Sequence, residues 1–289
     1  MDLPERLQKV IPHLECPDCR SDLENQQTSL KCLSCQKVYQ IIDGKIYFND
    51  PIQSEDHLDS FKTKLKKKLG KLYYTVGIDI IAPEFPFNSL KTVQEYCFGK
   101  DRIILDAGSG NYRLHEDIIC IDGVPYEEVD LVCDLYKLPF KENSIDFVLS
   151  KNVLEHLIDP YETLRQFHRV TKEGSFNLHV LPFLYPFHAS PHDYTRFTHQ
   201  SIKTLFKGFD AQKTFSTSGP VSVMLCVLIE LLSTLFCFNN EKLRSFVYLF
   251  FCLLFFPFKY LDFFFIKKDK YLSCAQILAF VIKKKSLDP

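Results

Sequence analysis

The residues best suited to chemistry are Leu105-Asp106-Ala107-Gly108-Ser109-Gly110, directly after the apolar run Ile103-Ile104-Leu105. Glycines at i and i+2 let a backbone turn tightly and approach a ligand where a Cβ would collide. Such a turn at the carboxyl end of a buried strand is where open α/β sheets bind their ligands. Alone, the pattern fits equally a tight strand-to-helix turn with no ligand. Three more short apolar runs follow: 118–121 ending in Asp122, 129–133 ending in Asp134, and 144–149 ending near Ser150. Their length, β-branched content and polar boundaries suit buried parallel strands. Such strands deliver Asp122 and Asp134 to one edge of a sheet, where carboxylates accept hydrogen bonds from a ribose diol and a polar group meets an adenine edge.

A second constellation is Cys16-Pro17-Asp18-Cys19 and Cys32-Leu33-Ser34-Cys35, two C-x-x-C knuckles with twelve residues between them. Four thiolates at this spacing suit a tetrahedral Zn2+ site of ribbon type, closed by cysteine and therefore structural. The charged stretch from Met1 to Lys9 has no apolar core behind it, unlike a secretory leader. A reducing compartment favours metal over disulfide. The expected location is the cytoplasm, peripheral on the inner membrane face. The remaining seven cysteines lie in apolar runs and read as small buried hydrophobes. Asp43-Gly44 marks the turn of a hairpin over 38–46.

A third cluster lies in 182–198, after an expected strand over 176–181. Three prolines exclude regular helix there, yet the segment holds Tyr185, His188, His192, Asp193, Tyr194 and Arg196. A neutral imidazole takes a proton readily near pH 7. His188 or His192 is the expected base, with Asp193 orienting it and Arg196 clamping an anionic substrate between Tyr185 and Tyr194. A plainer arrangement is open as well: Asp193 and Arg196 pair with each other, and Tyr194 and Phe197 pack. Glu155 and His156 read as structural, the Glu in the first turn of a helix where the dipole favours it.

These groups need a frame. The chain has 289 residues, 46% of them hydrophobic, and a formal net charge of −1. That allows a zinc ribbon over 1–50, a basic linker with helices over 51–100, an α/β domain over 101–219 and 271–289, and an apolar insertion over 220–270. Residues 221–238 are almost wholly apolar but carry Glu230, and a second run from 246 is broken by Pro257 and Lys259. Neither is a clean span; a helical hairpin lying in one leaflet or docked on the domain fits better. It would be inserted between a sixth strand near 214–215 and a seventh over 275–282. Lysines 62, 64, 66, 67, 68 and 71, with 267, 268 and 270, suit an anionic membrane face. The first group equally suits a solvated linker helix. Nucleic acid is a further reading of the same run, less favoured because a net charge of −1 gives no general basic field.

From about 103 to 210 the chain resembles the class I S-adenosylmethionine-dependent methyltransferases. The matching pieces are the LDAGSG turn, Asp122, the segment from Asp134 to Phe140, Ser144-Ile145-Asp146-Phe147-Val148, Val153-Leu154-Glu155-His156-Leu157 and the turn at Arg169 to Gly174. The resemblance implies a Rossmann-like sheet with S-adenosylmethionine at its edge. It puts Asp106, Gly108 and Gly110 on the methionine moiety, Asp122 on the ribose hydroxyls, Asp134 and Leu135 beside the adenine, and Asn152 near the sulfonium. Two features depart from the family. Asn111 and Tyr112 stand where a third glycine is usual, and eleven residues separate Gly110 from Asp122. That leaves room for one or two helical turns, so the first helix must be short or distorted. The G-x-G-x-x-G of NAD-binding folds is absent.

The loop over 182–198 is similar to that of methyltransferases from surface-polysaccharide loci, which implies a sugar or other small polar acceptor. The cysteine module resembles zinc domains accompanying some nucleic-acid and protein methyltransferases. The expected activity is O-methylation of a saccharide or lipid-linked glycan. Methylation of an RNA base is one alternative, and a catalytically silent membrane-associated adaptor is another.

Overall fold

The structure is a computed structural model that describes residues 3–52, 76–77, 80–97, 99, 101–187 and 192–286. The lysine run over 62–71 and His188 lie outside these residues.

The chain opens with a short helix, α1 (Glu5–Val10), which buries Leu7 and Val10. An antiparallel meander follows: β1 (Leu23–Asn25), β2 (Ser29–Cys32), β3 (Val38–Ile42) and β4 (Lys45–Tyr47). The β3–β4 turn is Asp43-Gly44, with φ of 50° and 76°. Positive φ at both central residues is what a two-residue hairpin of right-handed twist requires.

The cysteine module is not a bead on a linker. Ile46 of β4 stands opposite Leu131 in a parallel pairing with β7 (Leu131–Val132). Ile46 N donates to Asp130 O at 3.0 Å and Phe48 N to Val132 O at 2.9 Å. Lys45 Nζ donates to the carbonyls of Tyr126, Glu127 and Val129. Leu7, Leu14, Tyr39 and Ile46 share one hydrophobic core with Leu131, Leu138 and Phe140.

The remaining strands are β5 (Ile104–Ala107), β6 (Ile119–Asp122), β8 (Ile145–Lys151), β9 (Thr171–Pro182), β10 (Phe209–Ser218) and β11 (Ile277–Lys284). Together they form one sheet in the order β1-β2-β3-β4-β7-β6-β5-β8-β9-β11-β10. Strands β5 to β9 run parallel; β11 is antiparallel to both neighbours. The chain goes outward from β5 through β6 to β7, then returns to place β8 on the other side. The reversal falls between β5 and β8, the position where such sheets open a ligand crevice. Helices α2 (Ser89–Tyr96) and α3 (Pro160–Val170) are capped by Asn88 and Asp159, whose side chains accept from Lys91 N and Glu162 N. Proline at the first position of α3 costs no hydrogen bond.

The short helix expected after Gly110 is not formed: 111–118 run through turns alone. Its place is held by Arg113. The guanidinium donates to Ile118 O, to Glu128, and to both oxygens of the buried Asp130. Asp130 also accepts from Arg6 Nε and Cys120 N, each at 2.9 Å. Arg113→Ala would leave that carboxylate short of its main partner. A loss of about 3 kcal/mol in urea unfolding is expected, the low end for a broken buried pair because Arg6 stays. A change within 0.5 kcal/mol, as at an exposed pair, would contradict this assignment.

Between β10 and β11 lie α4 (Pro220–Leu235), α5 (Glu241–Phe255) and the 3-10 stretch Phe256–Phe264. The helical stretch Glu241–Phe264 has 24 residues, and its most apolar window has mean hydropathy 1.7; it is long and apolar enough to cross a membrane, and only 17% of that window is buried. Two charged residues tie its end to the domain. Buried Asp262 accepts from Gly219 N, Val221 N and Ser222 N at 2.9–3.0 Å, capping α4 from afar. A Cβ on Gly219 would meet Asp262 Oδ1 at 2.6 Å, which accounts for glycine there. Buried Lys259 donates to Ala82 O at 2.8 Å.

Candidate active site

Register sets the rim. Ala107 lies beside Ile121 and Ser150, and Asp122 lies beside Val132. The carboxyl ends of β5, β6, β7 and β8 therefore stand in line, and the chain turns there through Gly108 and Gly110, at φ of 71° and 60°. A Cβ on Gly108 would sit 2.5 Å from Val153 Cγ2, so this turn packs directly on the turn after β8. At Gly110 a Cβ would meet nothing within 4 Å. One glycine serves packing and the other leaves open space.

Asp122 locks the bend. Its two oxygens accept from Gly110 N at 3.0 Å and Val124 N at 2.9 Å. Burial raises its pKa, and those amides pull the other way. Asp106 lies beneath, buried at the end of β5. Burial pushes its carboxyl up to about 7, Asp122 adds to the rise, and Lys151 and Arg113 oppose it. Asp134 accepts from Tyr136 N at 2.8 Å, an Asx turn that fixes the backbone around buried Leu135. Asn152 stands just past β8 at φ 53°, its N–H donated to Val180 O. Its side-chain Oδ1 is buried without a hydrogen-bond partner among the described residues.

These features fit the proposed cofactor. Acidic groups suit a cationic amino-acid end and a diol, Leu135 suits a purine face, and a buried amide oxygen lacks a partner.

The loop beyond β9 is anchored on the same turn. Tyr194 N and Thr195 N donate to Glu155 O at 2.8 and 3.3 Å, and His156 Nδ1 is hydrogen-bonded to His192 O. The His192 ring stands 5.4 Å from that of Tyr194. Asp193 and Arg196 form a bidentate pair, and Arg196 also donates to Pro186 O. The Tyr185 hydroxyl donates to Glu84 at 2.6 Å, on the side facing the apolar helices. Asp106, Gly108, Gly110, Asp122, Asp134, Leu135 and Asn152 thus come together at the rim. His192, Asp193, Tyr194 and Arg196 gather at the 154–156 turn, and Tyr185 stands apart from them.

Glu155 has more to it than its sequence context suggests. It sits in a 3-10 turn, Leu154–His156, with its carboxyl wholly buried. Neither oxygen has a hydrogen-bond partner among the described residues; His156 Nε2 is 3.7 Å away. Burial pushes its pKa up to about 8. Only its apolar neighbours, Leu154 and Leu157, hint at this in the sequence. A carboxyl raised in the folded state favours folding below its unfolded pKa and loses that contribution as pH rises toward 8, by up to about 1.4 kcal/mol per unit. Glu155→Gln should therefore flatten the fall in Tm between pH 5.5 and 8.5. An unchanged slope would place the titration elsewhere.

The thiols of Cys16, Cys19, Cys32 and Cys35 all lie within 4.8 Å of one another. Cys16 and Cys35 Sγ are 3.7 Å apart, and Cys19 and Cys32 Sγ 3.4 Å. A tetrahedral metal with bonds of about 2.3 Å sets sulfurs about 3.8 Å apart. The cluster can hold one metal ion, and Tyr39 OH lies 3.1 Å from Cys16 Sγ beside it.

Residues 105–178 match the family model described as a methyltransferase domain. The chain has the fold of the class I S-adenosylmethionine-dependent methyltransferases. The matched span runs from the glycine turn to β9 and takes in the whole rim. The domain is similar to phosphoethanolamine N-methyltransferase 2 of Haemonchus contortus solved with S-adenosyl-L-methionine, at TM-score 0.50 and 16% identity over 81% of this chain and 60% of that one. A chain in the complex of the Haloferax volcanii Trm112 methyltransferase activator with a methyltransferase gives TM-score 0.46 and 16% identity, over 81% of this chain and all of that one. The 1,6-didemethyltoxoflavin-N1-methyltransferase of Burkholderia thailandensis gives 0.43 and 13%, over 88% and 98%. No curated protein matches the chain.

Proposed function

We propose that the protein methylates a hydroxyl oxygen of a saccharide or lipid-linked glycan at the cytoplasmic face of a membrane, with one structural zinc in its cysteine module. When bound, S-adenosylmethionine supplies a methyl group made electrophilic by its sulfonium. The rim residues orient that end. Asp106 and the open Gly110 bend receive the amino-acid portion, Asp122 the ribose, and Asp134 with Leu135 border the base. Asn152 Oδ1 faces the reacting centre. That this buried oxygen has no hydrogen-bond partner among the described residues is the observation that carries the reading. In-line transfer needs chiefly an aligned nucleophile and, for a hydroxyl, removal of its proton.

The loop over 182–198 supplies both. His192 is held at the 154–156 turn through its own carbonyl, which leaves its ring to act on the acceptor. His188 is the alternative base. Arg196, steadied by Asp193, clamps an acidic group, and Tyr194 flanks the sugar; Tyr185, bonded to Glu84, takes no part at this position. Alanine at both His188 and His192 should lower turnover about 10²- to 10⁴-fold, the usual share of general-base help, with cofactor affinity intact by calorimetry. Full activity would take both out of the mechanism.

The acceptor class is tested with radiolabelled methyl donor and fractionated cell extract. Label is expected in the lipid and glycan fractions. Label in RNA, with a steep fall of activity in salt, would favour the nucleic-acid reading instead.

A further inference from the structure

We infer that the apolar helices turn the catalytic rim toward the bilayer, so that the acceptor is a membrane-resident amphiphile methylated without leaving the lipid. The inference rests on the methyl-transfer and membrane-surface readings above. It begins with register. Ser218 of β10 pairs with Ile277 of β11, and Ile277 pairs with Pro182 of β9. Lys151, the last residue of β8, pairs with Val180 two positions earlier. The chain therefore leaves the sheet into α4, and re-enters it before β11, at the same rim as the glycine bend and the strand-end acids. The apolar block thus lies at the sheet edge that carries the cofactor crevice, with β9 between β8 and β11.

Its orientation is fixed. Asp262 holds the start of α4, and Lys259 holds the segment at Ala82. Ser218 Oγ donates to Gln276 Oε1 at 2.5 Å and accepts from Phe85 N at 3.0 Å. Tyr185, in the rim loop itself, is bonded to Glu84 of that same segment. Helices, segment 82–87 and rim loop form one continuous body.

The outward surface of that body is apolar. Met224, Leu231, Phe246, Phe250, Phe263 and Phe264 are each more than half exposed, and Phe187 on the rim loop is 73% exposed. Contiguous apolar surface on this scale marks a partner. Charge selects a bilayer as that partner. Lys267, Lys268 and Lys270 are exposed where the apolar stretch ends, and Lys267 Nζ lies 5.1 Å above the Phe263 ring. Aromatic rings edged by flexible lysines match the acyl boundary and the phosphates of anionic lipid. With Phe187 and the helices at the lipid, the route to the rim is lateral, and an acceptor with an acyl or prenyl tail keeps that tail in the membrane while its polar end reaches Asn152.

The chain contains no tryptophan, so single tryptophans report position cleanly. Three full-length variants suffice: Phe250→Trp on α5, Phe187→Trp on the rim loop, and Gln212→Trp, exposed at the opposite end of the sheet. Each is titrated with phosphatidylethanolamine–phosphatidylglycerol vesicles carrying brominated acyl chains. The first two should shift to the blue and be quenched, and the third should stay unchanged. A response at 250 without one at 187 overturns the rim orientation and leaves membrane binding in place. No response at either, with self-association in sedimentation, overturns both and gives the apolar face to a second copy. Methyl label is then followed in extract. At least tenfold more label in the membrane pellet than in soluble sugars is expected; label confined to soluble sugars overturns the acceptor class while the methyltransferase reading survives.

Discussion

Cys32→Ser is expected to strip the metal and unfold residues 3–48 as a unit. Zinc content should fall from about one ion per chain to a small fraction of that. A small module gains about 10–16 kcal/mol from such a site, far more than its few apolar side chains supply. The damage should not stop at the module. Ile46 and Phe48 are bonded to the strand that carries Asp130, and Leu131 and Phe140 share their core with Leu14 and Tyr39. Their release exposes the edge of β7, next to the strand that ends in Asp122. We expect Tm to drop by 10 °C or more, early proteolysis near residue 50, and weaker cofactor binding. A variant that loses metal yet keeps Tm and affinity would show the module to be energetically separate from the sheet.

Asp106→Asn is expected to weaken cofactor binding roughly tenfold to a hundredfold, the worth of a charge-assisted contact in a buried site. The pH dependence is more telling than the size. With its carboxyl pushed up to about 7, Asp106 is neutral below that pH and charged above it. A cationic amino-acid end favours the charged form. Affinity measured by calorimetry should thus climb from pH 6 to 8 in the native protein, by up to about tenfold per unit, and stay flat in the variant. A native profile without slope would remove Asp106 from the binding site.

The fold was largely legible because its strands announce themselves. The runs over 118–121, 144–149 and 176–181 each became a strand, as did the apolar stretch at 275–282. The glycine bend and Asp122 were legible too, since both lie within a few residues of the strands that position them. What escaped was non-local. Pairing of Ile46 with Leu131 joins segments 85 residues apart, and no local pattern encodes it. The place of the missing first helix is filled by Arg113 reaching Asp130; Arg113 looks like an ordinary surface charge in sequence, and Asp130 is the one charge inside an apolar run with no local sign of its partner. Glu155 escaped for the opposite reason. Its local sequence suits a helix start, whereas its burial depends on the loop at 192–196 closing over it. The pairing of Asp193 with Arg196, foreseen as an alternative to separate roles, is present and leaves the clamp compatible with a fixed, pre-formed loop.

The cap on α4 bears on biosynthesis. Asp262 is 43 residues downstream of Gly219, the first amide it holds. At ribosomal rates of 5–20 residues per second, the greasy segment waits roughly 2–9 s before its own start is completed. During that interval the nascent chain offers naked hydrocarbon with an unfinished helix end. A stop codon or protease cut between Leu235 and Asp262 would therefore strike earliest at a helix that is itself intact in the shortened product.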